Sequence, residues 1–409
     1  MKPTVRTTAA AIFLTAIALG MACEMPDCAR AFLEKRGTSV RRRIAAVCSA
    51  CRTAIPGRMG LVRLNGAFVR LIGQHACNEV VRMGADDILS QPNPKRVRMK
   101  RAVRNMRRFA GFCESNGVAF AYVQLPKKLD ADQVLLPPDR RDAANANVED
   151  LLSGLAGQNV PFVDWRREFA ATPEDVAKNF YRTDHHWNTD ASFRSTGLMI
   201  DEICRRCRVS DSPAAAARRI LSAASWKRKV MPDCFLGSLG KRTGPYFAGC
   251  DDVVVLKPKF DTELLFEVPS KHIKVRGSFK KTMMRRSGEL ETAGDRFASD
   301  AYSLLYVGGL YPYARSVNPK APLDLTVMLI GDSYVRPMSA FAATAVRELI
   351  MVDPRRRGPS APSLAELVRR RKPDIVLQVL NPSSLPVDRM TGRKTGRKIM
   401  FEYGLPCRR

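Results

Sequence analysis

The chain has 409 residues, 45% hydrophobic and 26% charged, with 68 Lys plus Arg against 40 Asp plus Glu and a formal net charge of +28. That composition excludes a disordered or low-complexity chain and leaves one large domain or two of ordinary size. The charge suits an anionic partner (nucleic acid, an acidic polysaccharide or an anionic membrane face) or else a plain solvated surface.

Residues 1–22, "MKPTVRTTAAAIFLTAIALGMA", begin with Lys2 and Arg6, continue with an apolar run and end in small residues, Gly20 and Ala22. This is the layout of a secretory signal peptide. The run is short of the ~20 residues of a membrane span. An uncleaved anchor over residues 7–22 stays open. The expectation is an exported protein, periplasmic or extracellular, which argues against nucleic acid as the partner. Residues 23–95 read as a helical and irregular segment ending in the turn-rich "SQPNPKR".

From residue 96 to 409 strands and helices alternate. A helix is expected at 100–117 with Gly117 as its stop, then a buried strand at 118–126. A helix at 146–159, a strand at 160–165 and a helix at 190–208 follow. Residues from about 210 to 320 turn rich in Gly, Pro and short β-like runs, and read as a β-rich insertion. The alternation resumes with a strand at 323–330, a helix at 339–350 and the end of a short strand at 351–353. A helix at 363–371 and a strand at 374–380 complete it. Such alternation implies an α/β fold with a mostly parallel sheet covered by helices on both faces. Ligands of these sheets bind at the carboxyl ends of the strands.

Eleven cysteines include two C-x-x-C pairs, Cys48 with Cys51 and Cys204 with Cys207, far apart and with no histidine near either. Disulfides or buried thiols suit them better than a metal site. The chain holds four histidines, and two of them, His185 and His186, stand together in "TDHHW". Further on, "GDSY" (331–334) follows the 323–330 strand. Gly331 permits a tight turn, and Ser333 sits where a helix begins, near backbone N–H donors. A serine nucleophile needs a base, and the base an orienting acid, whatever their order in the chain. Ser333, His186 and Asp184 supply the three types. If "TDHHW" is extended, Asp184 and His186 share one side while His185 and Trp187 share the other. That makes His186 the working histidine and leaves His185 to pack with Trp187 or to hold the loop.

"TDHHW" with a later "GDSY" resembles the DHHW protein family, SGNH-hydrolase-like proteins related to the alginate O-acetylation proteins of the bacterial periplasm. The "GSLGKRTGPYFAGCDD" stretch at 237–252 is similar as well. The resemblance implies a flavodoxin-like SGNH fold, with Ser333 as nucleophile, His186 as base and Asp184 as its partner. It implies acyl transfer on a cell-surface or exported polysaccharide, as O-acetyltransferase or acetylesterase, with no metal or organic cofactor. The partners are then an acidic or neutral polysaccharide, an acyl donor and a membrane-bound acyl-export protein. Gly331, Gly237, Ser238 and Asn318 stand as candidates for lining the pocket or binding an oxyanion, and Lys127 for meeting an anionic substrate. A noncatalytic polysaccharide-binding or assembly factor on the same fold is the alternative. A basic nucleic-acid-binding protein ranks below it.

Overall fold

The strands at the centre of the fold are apolar on both sides, as a sheet covered on both faces requires. In Ala119–Gln124, Ala121 and Val123 enter one core while Phe120 and Tyr122 enter the other. In Leu323–Gly331, Val327 and Leu329 alternate in the same way with Met328 and Ile330. The computed structural model describes residues 58–284, 305–309, 311–357, 361–385 and 401–405. The expected signal segment and the Cys48–Cys51 pair lie outside these residues.

Strands β1 (Ala76–Cys77), β2 (Val80–Met83) and β3 (Ile88–Ser90) form a small antiparallel sheet. β4 (Ala119–Gln124) and β5 (Phe162–Asp164) open the central sheet, and β6 (Trp226–Phe235) pairs with β7 (Asp251–Pro258) as a separate antiparallel hairpin. The remaining strands are β8 (Leu264–Val268), β9 (Ile273–Gly277), β10 (Tyr313–Val317), β11 (Leu323–Gly331), β12 (Val346–Val352) and β13 (Ile375–Leu380). Among the described residues the central sheet has eight strands in the order β5–β4–β13–β11–β12–β10–β8–β9. The first five are parallel, and the last three join antiparallel at one edge.

Helix α1 (Arg58–Leu71) precedes the small sheet, and α2 (Lys100–Ser115) and α3 (Ala144–Ala156) pack on one face of the central sheet. α4 (Thr189–Arg206) and α5 (Val335–Ala342) pack against one another on the other face, and α6 (Leu364–Arg371) leads into β13. The ends follow local chemistry. α2 stops before Gly117, which takes φ +70°. Asn188 caps α4 by accepting from the Ala191 N–H at 2.9 Å, and Ser363 caps α6 through the Glu366 N–H at 3.1 Å.

The structure shows the expected fold class, an α/β sheet that is mostly parallel with helices on both faces. Three expectations change in detail. Residues 76–90 hold three short strands where only helical and irregular structure was expected. The stretch from 210 to 320 is less an insertion than a continuation, because β8, β9 and β10 extend the central sheet itself. The expected helix at 339–350 is half helix and half strand: α5 ends at Ala342 and β12 begins at Val346. Aliphatic residues run through the whole segment, so apolar content alone does not separate the two. Tertiary pairing of "VRELIMV" between β11 and β10 decides it.

Candidate active site

The carboxyl ends of the parallel strands open into a cleft of about 930 Å³. Lys127 and Lys128 follow β4, Ser333 follows β11, Arg355 follows β12 and Asn381 follows β13, and all five line it. From β4 the chain runs outward to β5, and from β11 it runs the other way to β12, which puts the cleft where open α/β sheets place their ligands.

Ser333 is held from behind by its neighbour. The buried Asp332 carboxylate accepts from the Tyr334 N–H at 2.9 Å, the Asn381 N–H at 3.0 Å, Asn381 Nδ2 at 2.6 Å and the Ser384 hydroxyl at 2.7 Å. Burial pushes this carboxyl above its ordinary range, while Arg355 and these hydrogen bonds pull it back. The result ties the Ser333 turn to the loop after β13. Gly331 lies beneath, where a side chain would start 2.6 Å from Val335 Cγ1 and 3.0 Å from the Val379 carbonyl oxygen.

The histidine loop comes from the other side. Residues 182–186 are bends, flanked by a bridge between Phe180 and Trp187 and closed by the Tyr181 N–H donating to the His186 carbonyl at 3.2 Å. The segment is therefore neither extended nor helical, and the side-alternation argument does not describe it. The selection comes from an Asx turn instead. Asp184 Oδ1 accepts from the His186 backbone N–H at 3.0 Å and also lies 2.5 Å from His186 Nδ1. The turn lays the ring on its own carboxylate. His186 Nε2 then lies 2.7 Å from Ser333 Oγ. Asp184 Oδ2 accepts from the Ser238 N–H at 2.7 Å. Gly237 packs under that carboxylate, where a Cβ would fall 2.3 Å from the Asp184 Cβ.

His185 points elsewhere. Its ring is about half exposed and shares a 2.7 Å hydrogen bond between Nδ1 and Ser238 Oγ, and its carbonyl accepts from the Tyr334 hydroxyl. Its ring lies against that of His186, with centroids 3.8 Å apart, while Trp187 is buried against Phe169 and Tyr334 at ring distances of 5.5 and 5.4 Å. Burial, together with His185 and Arg336, pushes the His186 imidazole down to about 3, against the pull of Asp184. Asp184 is held well below its ordinary value by His186 and His185 and by the Ser238 N–H, although its burial works the other way. A neutral imidazole beside an ionised carboxylate is the state a general base needs. Asp184, His185 and His186 also bring three atoms of metal-ligand type within 4.8 Å of one another, with both His186 nitrogens already engaged.

The other candidates divide. Ser238 and Lys127 line the cleft, but Lys127 is paired with Asp142 and also approaches the Gln91 carbonyl at 3.4 Å. Asn318 is a correction. It stands before β11, where its N–H meets the Arg347 carbonyl at 2.8 Å and its Nδ2 meets those of Ala343 and Thr344 at 3.2 and 3.0 Å. A strand of nine residues, at roughly 3.3 Å each, separates that end of the sheet from Ser333. Asn381 is the asparagine at the site, and its place at the end of a strand was the one signal for it. Lys128, Asp251 and Tyr334 also hold this region; Tyr334 closes the GDSY motif and Asp251 lies in the 237–252 stretch, while Lys128 carries no motif. Cys204 and Cys207 are free thiols.

Residues 85–223 match the family model described as "SGNH hydrolase-like domain, acetyltransferase AlgX", a span that holds Asp184 and His186. No curated protein sequence matches the chain. Bacillus cereus PatB1 is similar in structure, with a TM-score of 0.61 at 18% identity, over 78% of this chain and 99% of that one. A DHHW family protein from Eubacterium siraeum aligns with a TM-score of 0.52 at 17% identity, over 75% of this chain and 90% of that one. These likenesses show a shared fold. Residues 85–223 are thus similar to the SGNH-hydrolase-like domain that the AlgX family model describes, and the fold as a whole is shared with PatB1 and a DHHW family protein.

Proposed function

We propose that this chain is a serine-dependent acyltransferase that moves an acetyl group to a hydroxyl of a cell-surface or exported polysaccharide. The observation that carries this reading is the relay from Asp184 through His186 to Ser333 at the floor of a cleft. The word "acetyltransferase" in the description of the matching family model supports the acyl group. A structure of PatB1 with a sulfonyl adduct supports a reactive nucleophile on this fold.

In the first half-reaction Ser333 Oγ attacks the acyl carbon of the donor as its proton passes to His186 Nε2. Asp184 Oδ1 holds the Nδ1–H and stabilises the imidazolium. Negative charge gathers on the acyl oxygen. The Ser333 N–H is the backbone donor covalently nearest to it. Asn381 adds a second: an amide nitrogen has two donors, one is spent on Asp332, and the side chain lines the cleft. The imidazolium then gives its proton to the leaving group, and the acyl-serine remains. In the second half-reaction a sugar hydroxyl attacks the ester, gives its proton to His186 and leaves acylated, while Ser333 recovers its proton from the imidazolium. Water in place of the sugar makes the same site an esterase.

The acceptor is anionic in this reading. Arg242 stands in the cleft, no Asp or Glu lines it among the described residues, and the chain carries +28. Among the described residues no helix is long and apolar enough to cross a membrane. Export and docking to an acyl-export protein in the membrane belong to the proposal, on the signal-like residues 1–22. The test is turnover of an acetyl ester by purified protein with and without a glycan acceptor. Acetylated glycan is expected, and its loss in Ser333→Ala. Free acetate alone points to an esterase, and no turnover by a folded protein points to the noncatalytic binding module.

A further inference from the structure

The loop that presents Asp184 and His186 has no ladder or helix to satisfy its backbone, so each of its polar groups needs another partner. The Arg182 carbonyl accepts from the Leu89 N–H at 2.9 Å, and the Thr183 carbonyl from the N–H groups of Leu239 and Gly240 at 3.1 and 2.8 Å. The His185 carbonyl takes the Tyr334 hydroxyl. Two buried charges do the rest. The Asp251 carboxylate accepts from the N–H groups of Arg182 and Thr183 and from the Thr183 hydroxyl. Lys128 Nζ donates to the carbonyls of Arg182 at 2.6 Å and Asp184 at 2.8 Å. The loop is thus gripped by an acid on its N–H groups and by an ammonium on its carbonyls.

We infer that Lys128 is a positioning residue of this site: its ammonium, with Asp251 as counterpart, sets the peptide of Asp184 so that the carboxylate meets His186 and the ring meets Ser333. The inference rests on the acyl-transfer reading. Three observations favour it over simple packing. Lys128 is 2% exposed, and it lines the cleft while its head is spent on the carbonyls of the histidine loop. The Asp184 carbonyl has Lys128 as its only hydrogen-bond donor among the described residues. Burying an ammonium is costly, and an aliphatic side chain fills the same space without that cost, so two carbonyls and a nearby carboxylate are what make it tolerable. Burial brings the Lys128 pKa down to about 7, and Asp251 and Asp184 work against that. Lys127, the adjacent lysine, is turned the other way, onto Asp142. Two consecutive lysines therefore serve different elements, and Lys128 alone of the two reaches the histidine loop.

The test is Lys128→Met in the full chain, a substitution of similar length without charge or donors. Turnover of an acetyl ester and the rate of Ser333 labelling by a sulfonyl fluoride are both measured per folded molecule. Relaxing the loop by about 1 Å is expected to lower kcat and the labelling rate together by about 10²-fold, with KM changed less than ~2-fold. A merely structural lysine would lower the thermal midpoint and leave both rates per folded molecule intact, which overturns the inference. So does a rise in KM at constant kcat, because Lys128 then binds substrate. If Lys128→Met does not fold, Asp251→Asn weakens the opposite arm of the grip and must show the same kcat-selective loss of about 10-fold or more; retained kcat in that variant overturns the inference. A folded wild-type chain that neither turns over nor labels sinks the acyl-transfer reading, and this inference with it.

Discussion

His186 Nε2 lies 2.7 Å from Ser333 Oγ although 147 positions separate the two residues in the chain. The contact joins two loops that come from opposite sides of the sheet's end, one after β11 and one between β5 and α4. Tyr334 strengthens the join, because its hydroxyl donates to the His185 carbonyl from the residue next to the serine.

The two histidines should separate cleanly on substitution. Ser333→Ala and His186→Ala are each expected to lose about 10³-fold or more in kcat, and the double variant no more than either single one, since members of such a relay act as a unit. His185→Ala is expected to stay within about tenfold of wild type, because its ring bonds to Ser238 and supports the His186 ring from the side, while His186 is the histidine bonded to Ser333. Steady-state kinetics on all four proteins decides this. A larger loss in His185→Ala than in His186→Ala contradicts the assignment.

The acid limb of the pH profile should lie low. Only neutral His186 accepts the serine proton, and its pKa is pushed down from the ordinary value of 6.5 to about 3. Activity is therefore expected to persist as pH falls through 6.5 and to fail only in the acid range well below it. The same shift is a stability term with a definite sign. An unfolded histidine gains a proton below about 6.5 and the folded one does not, so stability decreases as pH drops through that window. His186→Ala is expected to remove this slope between pH 6.5 and the folded value. Denaturant titrations at a series of pH values measure it, and an unchanged slope in the variant counts against a neutral, buried His186.

Gly237→Ala should damage the site by contact alone. The new methyl would sit 2.3 Å from Asp184 Cβ, closer than atoms can approach. Overpacking of this kind costs about 1–3 kcal/mol, and here the atom that must yield carries the carboxylate. Lower thermal stability together with a fall in kcat is expected. Full activity in Gly237→Ala would show that the loop moves without consequence for the chemistry.

Asn381→Ala should lower kcat by about 10²-fold with little change in KM, the signature of a lost oxyanion donor. Asp332 also loses a 2.6 Å partner in this variant. Ser384→Ala removes a 2.7 Å partner of the same carboxylate from a side chain to which no oxyanion role is assigned, and serves as the control. Equal losses in the two variants would reduce Asn381 to support for Asp332.

Much of the site was legible in two short motifs. "TDHHW" and "GDSY" name Asp184, His186 and Ser333, and the alternation of strands and helices puts the ends of β4, β11 and β13 on one edge. The choice of His186 rested on an extended backbone, whereas the loop is bent and an Asx turn makes the selection. Asn318 illustrates what a sequence conceals. It precedes β11 and Asn381 follows β13, and only the direction of the strands shows which asparagine stands at the serine's end of the sheet. Lys128 escapes for another reason, and so does the role of Asp251, although that residue lies inside the 237–252 stretch. Their work is on the backbone of a distant loop, and a buried lysine beside an ordinary paired one leaves no pattern in the chain. The turn from helix to strand near Ala343 was hidden as well, because the apolar residues there suit both states until β11 and β10 flank them.

The most direct measurement is to trap the acyl-enzyme. Brief exposure of the purified chain to an activated acetyl ester, followed by acid quench and peptide mass spectrometry, should find one acetyl group on the peptide that contains Ser333. The acetyl group should be absent in Ser333→Ala, nearly absent in His186→Ala, and discharged when a glycan acceptor is added before the quench. An acetyl group that persists on that peptide in His186→Ala at the wild-type rate, or that appears on another residue instead, would contradict the relay from Asp184 through His186 to Ser333.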